Sequence, residues 1–389
     1  MLIEVFSDTV CPWCYVGKLR FERAAAARPG LAIDLKWLPF ELNPEMPVAG
    51  ADRAEYLAAK FGDANRFADA QRALRGIGAE LGIDFRFELI TRMPNTRRSH
   101  ALIAWAAGAQ SDVKERVLRA YFTEGRDIGD AEVLVSIAAE AGLDRAAARV
   151  AIDEPMLHKE IAALEARAQS WGISGVPAFV FERRYLVSGA QEPQAFLQVM
   201  DKLVAELELT GRARTHVVDV PDLHCTIHRD VVAPLRALSR AAWTEAGIEL
   251  AAVSAFRDFE RQRTIWNAKW RGERALLDRS GRPLDTTTLD PDGRIDAILA
   301  WSALPGASRH HWGTDIDVID RAATAQGYLP QLVPAEYAPG GVFHRLDAWL
   351  TASMSRFGFY RPYVRDLGGV RPEAWHLSHA DTAGPACGG

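Results

Sequence analysis

Two groups of residues in this chain have types and spacings that can do chemistry. The first lies near the C-terminus. The stretch SRHHWGTDID carries His310 and Asp317 on either side of Gly313. A turn leading into a strand would aim both side chains at one point. PEAWHLSHA adds Glu373 and His376, three residues apart. A catalytic zinc typically takes three protein ligands and keeps one position for water. His310, Asp317 and His376 could supply those ligands, and Glu373 could face the water as a general base. Taken alone, SRHHWGTDID reads equally well as a polar loop with unlinked histidines. Upstream, SAFRDFERQ places Arg257 at the end of a strand-like run. A cation there suits a carboxylate or an oxyanion, or it is a solvated arginine at a helix start. Asp315 shares a strand face with Asp317. It is either a carboxylate that holds a ligand histidine or a strand-end acid in water. Trp312 and Trp375 read as packing or pocket wall.

The second group is Cys11-Pro12-Trp13-Cys14. It follows a strand pattern and opens a helical one. The positive end of the helix dipole favours a thiolate on the first cysteine. Cys11 then reads as the nucleophile and Cys14 as the resolving thiol. A C-x-x-C can also be half of a zinc site, but no second one exists, and Cys225 and Cys387 stand apart. Val176-Pro177 is the expected counterpart: a cis X-Pro bond beside the dithiol exposes backbone on which an extended substrate docks. An ordinary trans proline at a strand start is the other reading.

The elements that must position these groups fall into two sets. LIEVFSD and LAIDLKWLPF read as strands around a helix from TVCPWCYVG onward, followed by an Ala-rich helical block over about 51–170. A hairpin in PAFVFERRYLVSGA and a helix in EPQAFLQVMDKLVAELEL close this half. Residues 208–224 read as a linker, with VVDV a short strand at most. A helix from HRDVV, a strand in IELAAVSAF and a helix in RDFERQRTIWNAKW then begin a new pattern. Residues 271–295 are polar and turn-rich and read as an inserted loop, 342–358 as an amphipathic helix, and 381–389 as a disordered tail. The length, 389 residues, exceeds what one core usually holds.

Composition is that of a globular protein, with 46 basic against 51 acidic residues. The net charge of −5 and the absence of a basic run give no reason to expect nucleic acid. No apolar run reaches membrane-spanning length. MLIEVFSD lacks a signal-peptide pattern, so the expected compartment is the cytoplasm.

The C-terminal residues resemble the VanY-type D-alanyl-D-alanine carboxypeptidases, zinc peptidases that trim peptidoglycan stem peptides. That family's S-x-H-x-x-G-x-A-x-D is matched by Ser308, His310, Gly313 and Asp317, and its E-x-W-H by Glu373, Trp375 and His376. Its S-G-Y-R-S-x-x-x-Q is echoed by Ser254, Arg257 and Gln262. The resemblance covers about 225–380. It implies Zn2+ on His310, Asp317 and His376, with Glu373 as catalytic base and Arg257 stabilising charge on the scissile carbonyl. It also implies Gln262 and Ser308 beside the substrate, a D-alanyl-terminated peptide. Asp315 stands where the family has alanine, Ala255 and Asp258 replace glycine and serine, and His311 and His379 are extra imidazoles.

The N-terminal residues resemble the DsbA-like, FrnE-type thioredoxin-fold oxidoreductases. SDTVCPWCYVG matches the family's opening. Asn95, Thr96 and His100, AYFTEGRDIGD, GISGVPAFVF and GAQ match further along. This resemblance covers about 1–205 and implies protein or small-molecule thiols as partners. Chromene-carboxylate isomerases and kappa glutathione transferases, sisters of this fold, typically have serine where Cys11 stands, so the intact dithiol favours redox work.

The expected fold is therefore α/β and α+β in two domains. Residues 1–207 form a thioredoxin-like domain with a helical insertion. Residues 225–380 form a zinc D,D-peptidase α+β domain with a small antiparallel sheet. The expected function is a bifunctional fusion of a disulfide oxidoreductase and a zinc carboxypeptidase. The alternative keeps only an oxidoreductase or glutathione-linked isomerase-like activity, with the second domain a peptide-binding module. The peptidase half would fit the cell envelope better than the cytoplasm.

Overall fold

LIEVFS forms strand β1 (Leu2–Ser7), whose last five residues are all buried. A strand buried on both faces must be covered on both, and β1 is a central strand. In the computed structural model, residues 1–61, 64–324, 327–366 and 369–387 are described. They fall into two units, Met1–Asp201 and Lys202–Gly389.

In the first unit, β1 leads through α1 (Pro12–Ala26) to a parallel partner, β2 (Asp34–Pro39). A parallel pair needs such a crossover. The chain then leaves the sheet. It makes a short ladder of β3 (Ala51–Asp52) and β4 (Arg92–Met93), with helices α2 (Arg53–Phe61) and α3 (Ala64–Leu81) between them. Five helices follow: α4 (Arg97–Trp105), α5 (Gln110–Phe122), α6 (Ala131–Glu140), α7 (Arg145–Ala151) and α8 (Pro155–Ser170). Asp130 and Asp144 accept backbone N–H groups at the starts of α6 and α7, which satisfies donors a helix cannot pair internally. The chain returns as the hairpin β5 (Ala178–Phe181) and β6 (Tyr185–Ser188), then α9 (Pro193–Leu209). The sheet order is β2-β1-β5-β6, with β5 antiparallel to β1. The rings of Phe21, Phe179 and Phe196 pack α1 and α9 against it, with centroids 5.5 and 4.7 Å apart. The division between units falls inside α9.

The stretch 208–224, expected as a linker, is structured. It holds the end of α9, strand β7 (Val217–Val220) and a 3-10 turn at Pro221–Leu223. β7 pairs with β8 (Cys225–His228) as a hairpin, because Val220 and Ile227 have a core to face. Next come α10 (Val232–Ala246), β9 (Leu250–Ser254), α11 (Phe259–Trp270) and α12 (Pro291–Leu299). α12 begins inside the segment expected to be loop, with Asp290 capping it and Pro291 in its first turn. β10 (Asp315–Asp320), α13 (Pro334–Tyr337), α14 (His344–Ser353), β11 (Phe359–Tyr360) and β12 (His376–His379) complete the domain. The second sheet is antiparallel, in the order β11-β12-β10-β9. Its core gathers Ile316, Val318, Leu377, Leu346, Leu350 and Trp375. The tail expected to be disordered is instead helical over Ala380–Cys387 (α15), with Ala383 fully buried. Residues 388 and 389 lie outside the described residues. No helix among the described residues is long and apolar enough to cross a membrane.

Candidate active sites

Register brings the first site together. β10 and β12 are antiparallel neighbours, and Asp317 stands directly opposite His376. His310 comes from the 3-10 turn Arg309–Trp312 that precedes β10. Gly313 ends that turn at φ 67°, where a Cβ would lie 2.5 Å from Val217 Cγ1 and 2.9 Å from the His228 nitrogen. Only glycine suits a left-handed residue pressed so closely on the β7–β8 hairpin.

His310 Nε2 lies 3.2 Å from Asp317 Oδ2, and His376 Nδ1 lies 3.2 Å from Asp317 Oδ1. The three candidate ligand atoms fall within 4.8 Å of one another, and all three residues are buried. Each ring uses its other nitrogen elsewhere. His310 Nδ1 donates to the Ala255 carbonyl at 2.9 Å, and His376 Nε2 donates to Asp315 Oδ1 at 2.9 Å. That assignment turns both lone pairs inward. It also leaves Asp317 Oδ1 buried without a hydrogen-bond donor. Burial opposes a proton on His376, yet Asp315, Asp317 and Glu373 together hold that imidazole well above its ordinary range. A site so rich in negative charge calls for a cation. Two inward imidazoles, an orphaned carboxylate oxygen and remote nitrogens fixed by hydrogen bonds fit zinc.

Glu373 Oε2 is 3.2 Å from His376 Nδ1. The Arg257 guanidinium is held by Gln262 Oε1 and Ser254 Oγ, both at 2.8 Å, and its Nη2 lies 4.0 Å from Asp317 Oδ2. Gln262, expected beside the substrate, is fully buried and donates its amide to the Ala303 carbonyl. With both ends of the amide engaged by protein, it positions Arg257. Ser308 is buried at the rim of the turn, and its hydroxyl does not cap the turn. His311 is no ligand: Nδ1 donates to the Arg257 carbonyl and Nε2 accepts from the Gly306 N–H. His379 pairs with Thr382 instead. Asp315 is fully buried, bound by Arg309 Nε at 2.8 Å as well as His376, so the reading of it as a solvated acid fails. Trp375 is packing, its ring 5.5 Å from Tyr337 and stacked on Trp301.

The second site is the turn from β1 into α1. Cys11 is the N-cap of α1 and Pro12 its first residue. Cys11 is 5% exposed and Cys14 fully buried, and both are free thiols. The Cys14 thiol and the first-turn N–H groups hold the Cys11 thiol below its ordinary range, while burial pushes Cys14 well up. The two thiols are thus distinguished electrostatically. The Val176–Pro177 bond is cis. The Val176 carbonyl lies 3.7 Å from Cys11 Sγ, and a Cβ on Gly17 would meet Pro177 Cγ at 2.8 Å. Loop and helix start are therefore in contact. A cavity of about 640 Å3 opens on Cys11, lined by Trp13, Leu42, Met46, Tyr121 and Phe122 among others.

Buried charges lie behind the dithiol. Asp8 accepts from the Leu42 N–H at 2.7 Å and faces His100 Nε2 at 3.3 Å. Lys114 of α5 is 1% exposed, and burial pushes its ammonium down to about 8 despite the opposing pull of Cys14 and Asp8. In a helical pattern nothing separates such a lysine from a solvated one.

A family model for the DSBA-like thioredoxin domain matches residues 2–201, and one for the VanY D-alanyl-D-alanine carboxypeptidase matches 224–382. An uncharacterized protein of Haemophilus influenzae is 43% identical over 106 residues, 26% of this chain and 71% of that protein. Among solved structures, a probable DsbA oxidoreductase of Streptomyces coelicolor is 34% identical with a TM-score of 0.49, covering 52% of this chain and 89% of that one. The vancomycin-resistance D,D-pentapeptidase VanY of a VanB-type cassette, solved with Zn(II), is 22% identical with a TM-score of 0.30, covering 42% and 77%. The chain belongs to the DSBA-like thioredoxin family through residues 2–201 and carries a VanY-type D-alanyl-D-alanine carboxypeptidase domain over residues 224–382.

Proposed function

We propose that the chain is bifunctional: a thiol–disulfide oxidoreductase at Cys11 and Cys14, and a zinc-dependent carboxypeptidase that removes D-alanine from D-alanyl-terminated peptides. The observation that carries the peptidase reading is the convergence of His310, Asp317 and His376, with Glu373 at 3.2 Å from His376 and Arg257 at 4.0 Å from Asp317.

His310 Nε2, His376 Nδ1 and an Asp317 oxygen would hold the zinc. When bound, such an ion polarises a carbonyl and lowers the pKa of water toward neutrality. Glu373 takes the proton of the attacking water on its carboxylate. The water oxygen bonds to the scissile carbonyl carbon. Arg257 faces the charge that develops on the carbonyl oxygen. Glu373 then passes its proton to the departing D-alanine nitrogen as the C–N bond breaks. In the other unit, the Cys11 thiolate attacks a substrate disulfide and expels one thiolate. Cys14 gives its proton to that leaving group and attacks Cys11 Sγ, so the second substrate sulfur departs as a thiolate. The chain's dithiol is oxidised by two electrons, and the substrate is reduced by two.

Release of D-alanine from a peptide ending in D-Ala-D-Ala tests the peptidase. The zinc-loaded chain releases it, and Glu373→Ala lowers the rate by ~10^2–10^4-fold with zinc still bound. No release by zinc-loaded parent would sink the assignment of substrate. For the dithiol, reaction of the reduced chain with iodoacetamide at Cys11 should titrate below the ordinary thiol pKa of about 8.5, the direction its surroundings impose. Cys11→Ser should abolish reduction of a small disulfide. A reaction midpoint at or above the ordinary value would remove the assigned nucleophile.

A further inference from the structure

The turn that carries His310 is four residues long, and no side chain caps its start. Much of its shape is set by neighbours that take its carbonyls. The Arg257 N–H donates to the His310 carbonyl at 3.0 Å, and the His228 N–H donates to the Gly313 carbonyl at 2.8 Å. The His311 carbonyl, between those two, accepts from a side chain: His216 Nε2 lies 2.9 Å away. His216 belongs to the segment expected as a linker, ahead of the carboxypeptidase residues 224–382. It is 7% exposed. Its ring packs edge-on against Phe256, the residue before Arg257, with centroids 5.6 Å apart. One imidazole therefore touches both chain segments that frame the cluster, the turn of His310 and the strand end of Arg257.

The chemistry of His216 argues for more than filling space. A carbonyl can only accept, so Nε2 carries the proton. Nδ1 is then a buried acceptor without a hydrogen-bond partner. Glu208 Oε1, 3.7 Å from it, is itself an acceptor and holds the Thr215 hydroxyl. An unsatisfied buried acceptor costs stability, and a leucine would fill similar volume without that cost. What the imidazole supplies and leucine cannot is the Nε2–H bond to the turn. The surroundings are tight enough for that bond to matter: a Cβ on Gly211 would lie 2.3 Å from His311 Nδ1. We propose that His216 is a positioning residue of the zinc site, its bond to the His311 carbonyl and its packing on Phe256 fixing His310 relative to Arg257. The proposal rests on the zinc reading above.

The test is zinc affinity of the full chain, read by competition with a chromophoric chelator, in His216→Leu, His216→Met and His216→Gln. Leucine and methionine keep the bulk and lose the donor, whereas the glutamine amide keeps an N–H at about the reach of Nε2. His216→Leu and His216→Met should weaken zinc binding by ~10-fold or more. They should also alter the visible spectrum of the cobalt(II)-loaded chain, because His310 is free to shift. His216→Gln should restore both. Chemical denaturation of the metal-free chains is measured alongside. A residue that only packs would change that stability and leave the affinity and the cobalt spectrum of the folded chain unmoved, and this outcome overturns the proposal. So does a glutamine variant that loses as much affinity as leucine. A parent chain that binds neither zinc nor cobalt defeats the zinc reading and this proposal with it. A parent that binds zinc but releases no D-alanine defeats the peptide assignment alone, and the affinities of the variants still decide the role of His216.

Discussion

Asp315 is the residue on which the proposed metal site turns. It accepts a hydrogen bond from His376 Nε2 and is itself pinned by Arg309, Thr314 and Ser378. The far nitrogen of His376 is thereby committed, and Nδ1 faces Asp317. A carboxylate partner of this kind raises the basicity of a ligand imidazole and fixes its tautomer. Asp315→Asn should keep the shape and weaken that effect. Zinc affinity, read by competition with a chromophoric chelator, should fall by ~10-fold or more. Affinity equal to that of the parent would mean that Asp315 is only a packing carboxylate paired with Arg309. Cys225 shows the opposite lesson. It is free, but burial raises its thiol to about 11, so at neutral pH it is a poor nucleophile and a poor redox switch.

At the scale of elements, both sites sit where a strand meets a turn. Cys11 lies at the end of β1 as α1 begins, and His310 lies in the turn that enters β10. Strands fix the positions of the backbone, and the adjoining turns aim the side chains. Gly313 is the residue that lets the second turn close. Gly313→Ala puts a Cβ against Val217 and the His228 backbone at positive φ. It should destabilise the C-terminal unit by at least about 1–2 kcal/mol, the left-handed backbone cost alone. Zinc binding should weaken with it, because His310 and Asp317 flank the turn. Chemical denaturation of parent and variant measures the difference. A change within error would mean that the hairpin gives way easily, and that the turn is not a rigid part of the site. α11 has a comparable role: capped by Asp258, it carries the buried Gln262 that holds Arg257.

At the scale of the molecule, each unit has its own sheet and its own chemistry. The first keeps its dithiol beside an apolar cavity, and the second keeps His310, Asp317 and His376 together in a buried cluster. A ligand that binds only the folded state stabilises it by RT ln(1 + [L]/Kd), about 4 kcal/mol at a thousandfold excess over Kd. Zinc should therefore raise the thermal transition of the unit that contains His310, Asp317 and His376, and a chelator should reverse the shift. Near-ultraviolet dichroism follows it, while alkylation of Cys14 reports opening of the first unit separately. If zinc left every transition unmoved, the three residues would not form a metal site in solution.

Much of this was legible from the chain alone. Residues that do chemistry must keep type and local spacing, so Cys11 and Cys14, His310 and Asp317, and Glu373 and His376 stand out as short patterns. The order of strand and helix patterns likewise marks two folding units. Other features depend on contacts between distant segments. Burial turned Asp315 from a strand-end acid into the partner of His376. Gln262 became a support for Arg257 because Ala303, forty-one residues away, takes its amide. Lys114 and Lys269 acquired depressed ammonium groups only when folding removed water from around them. The linker and tail became regular because folding supplies cores for residues such as Val220, Ile227 and Ala383. Local pattern shows which groups are present; burial and long-range hydrogen bonding set the charge each carries and the direction it faces.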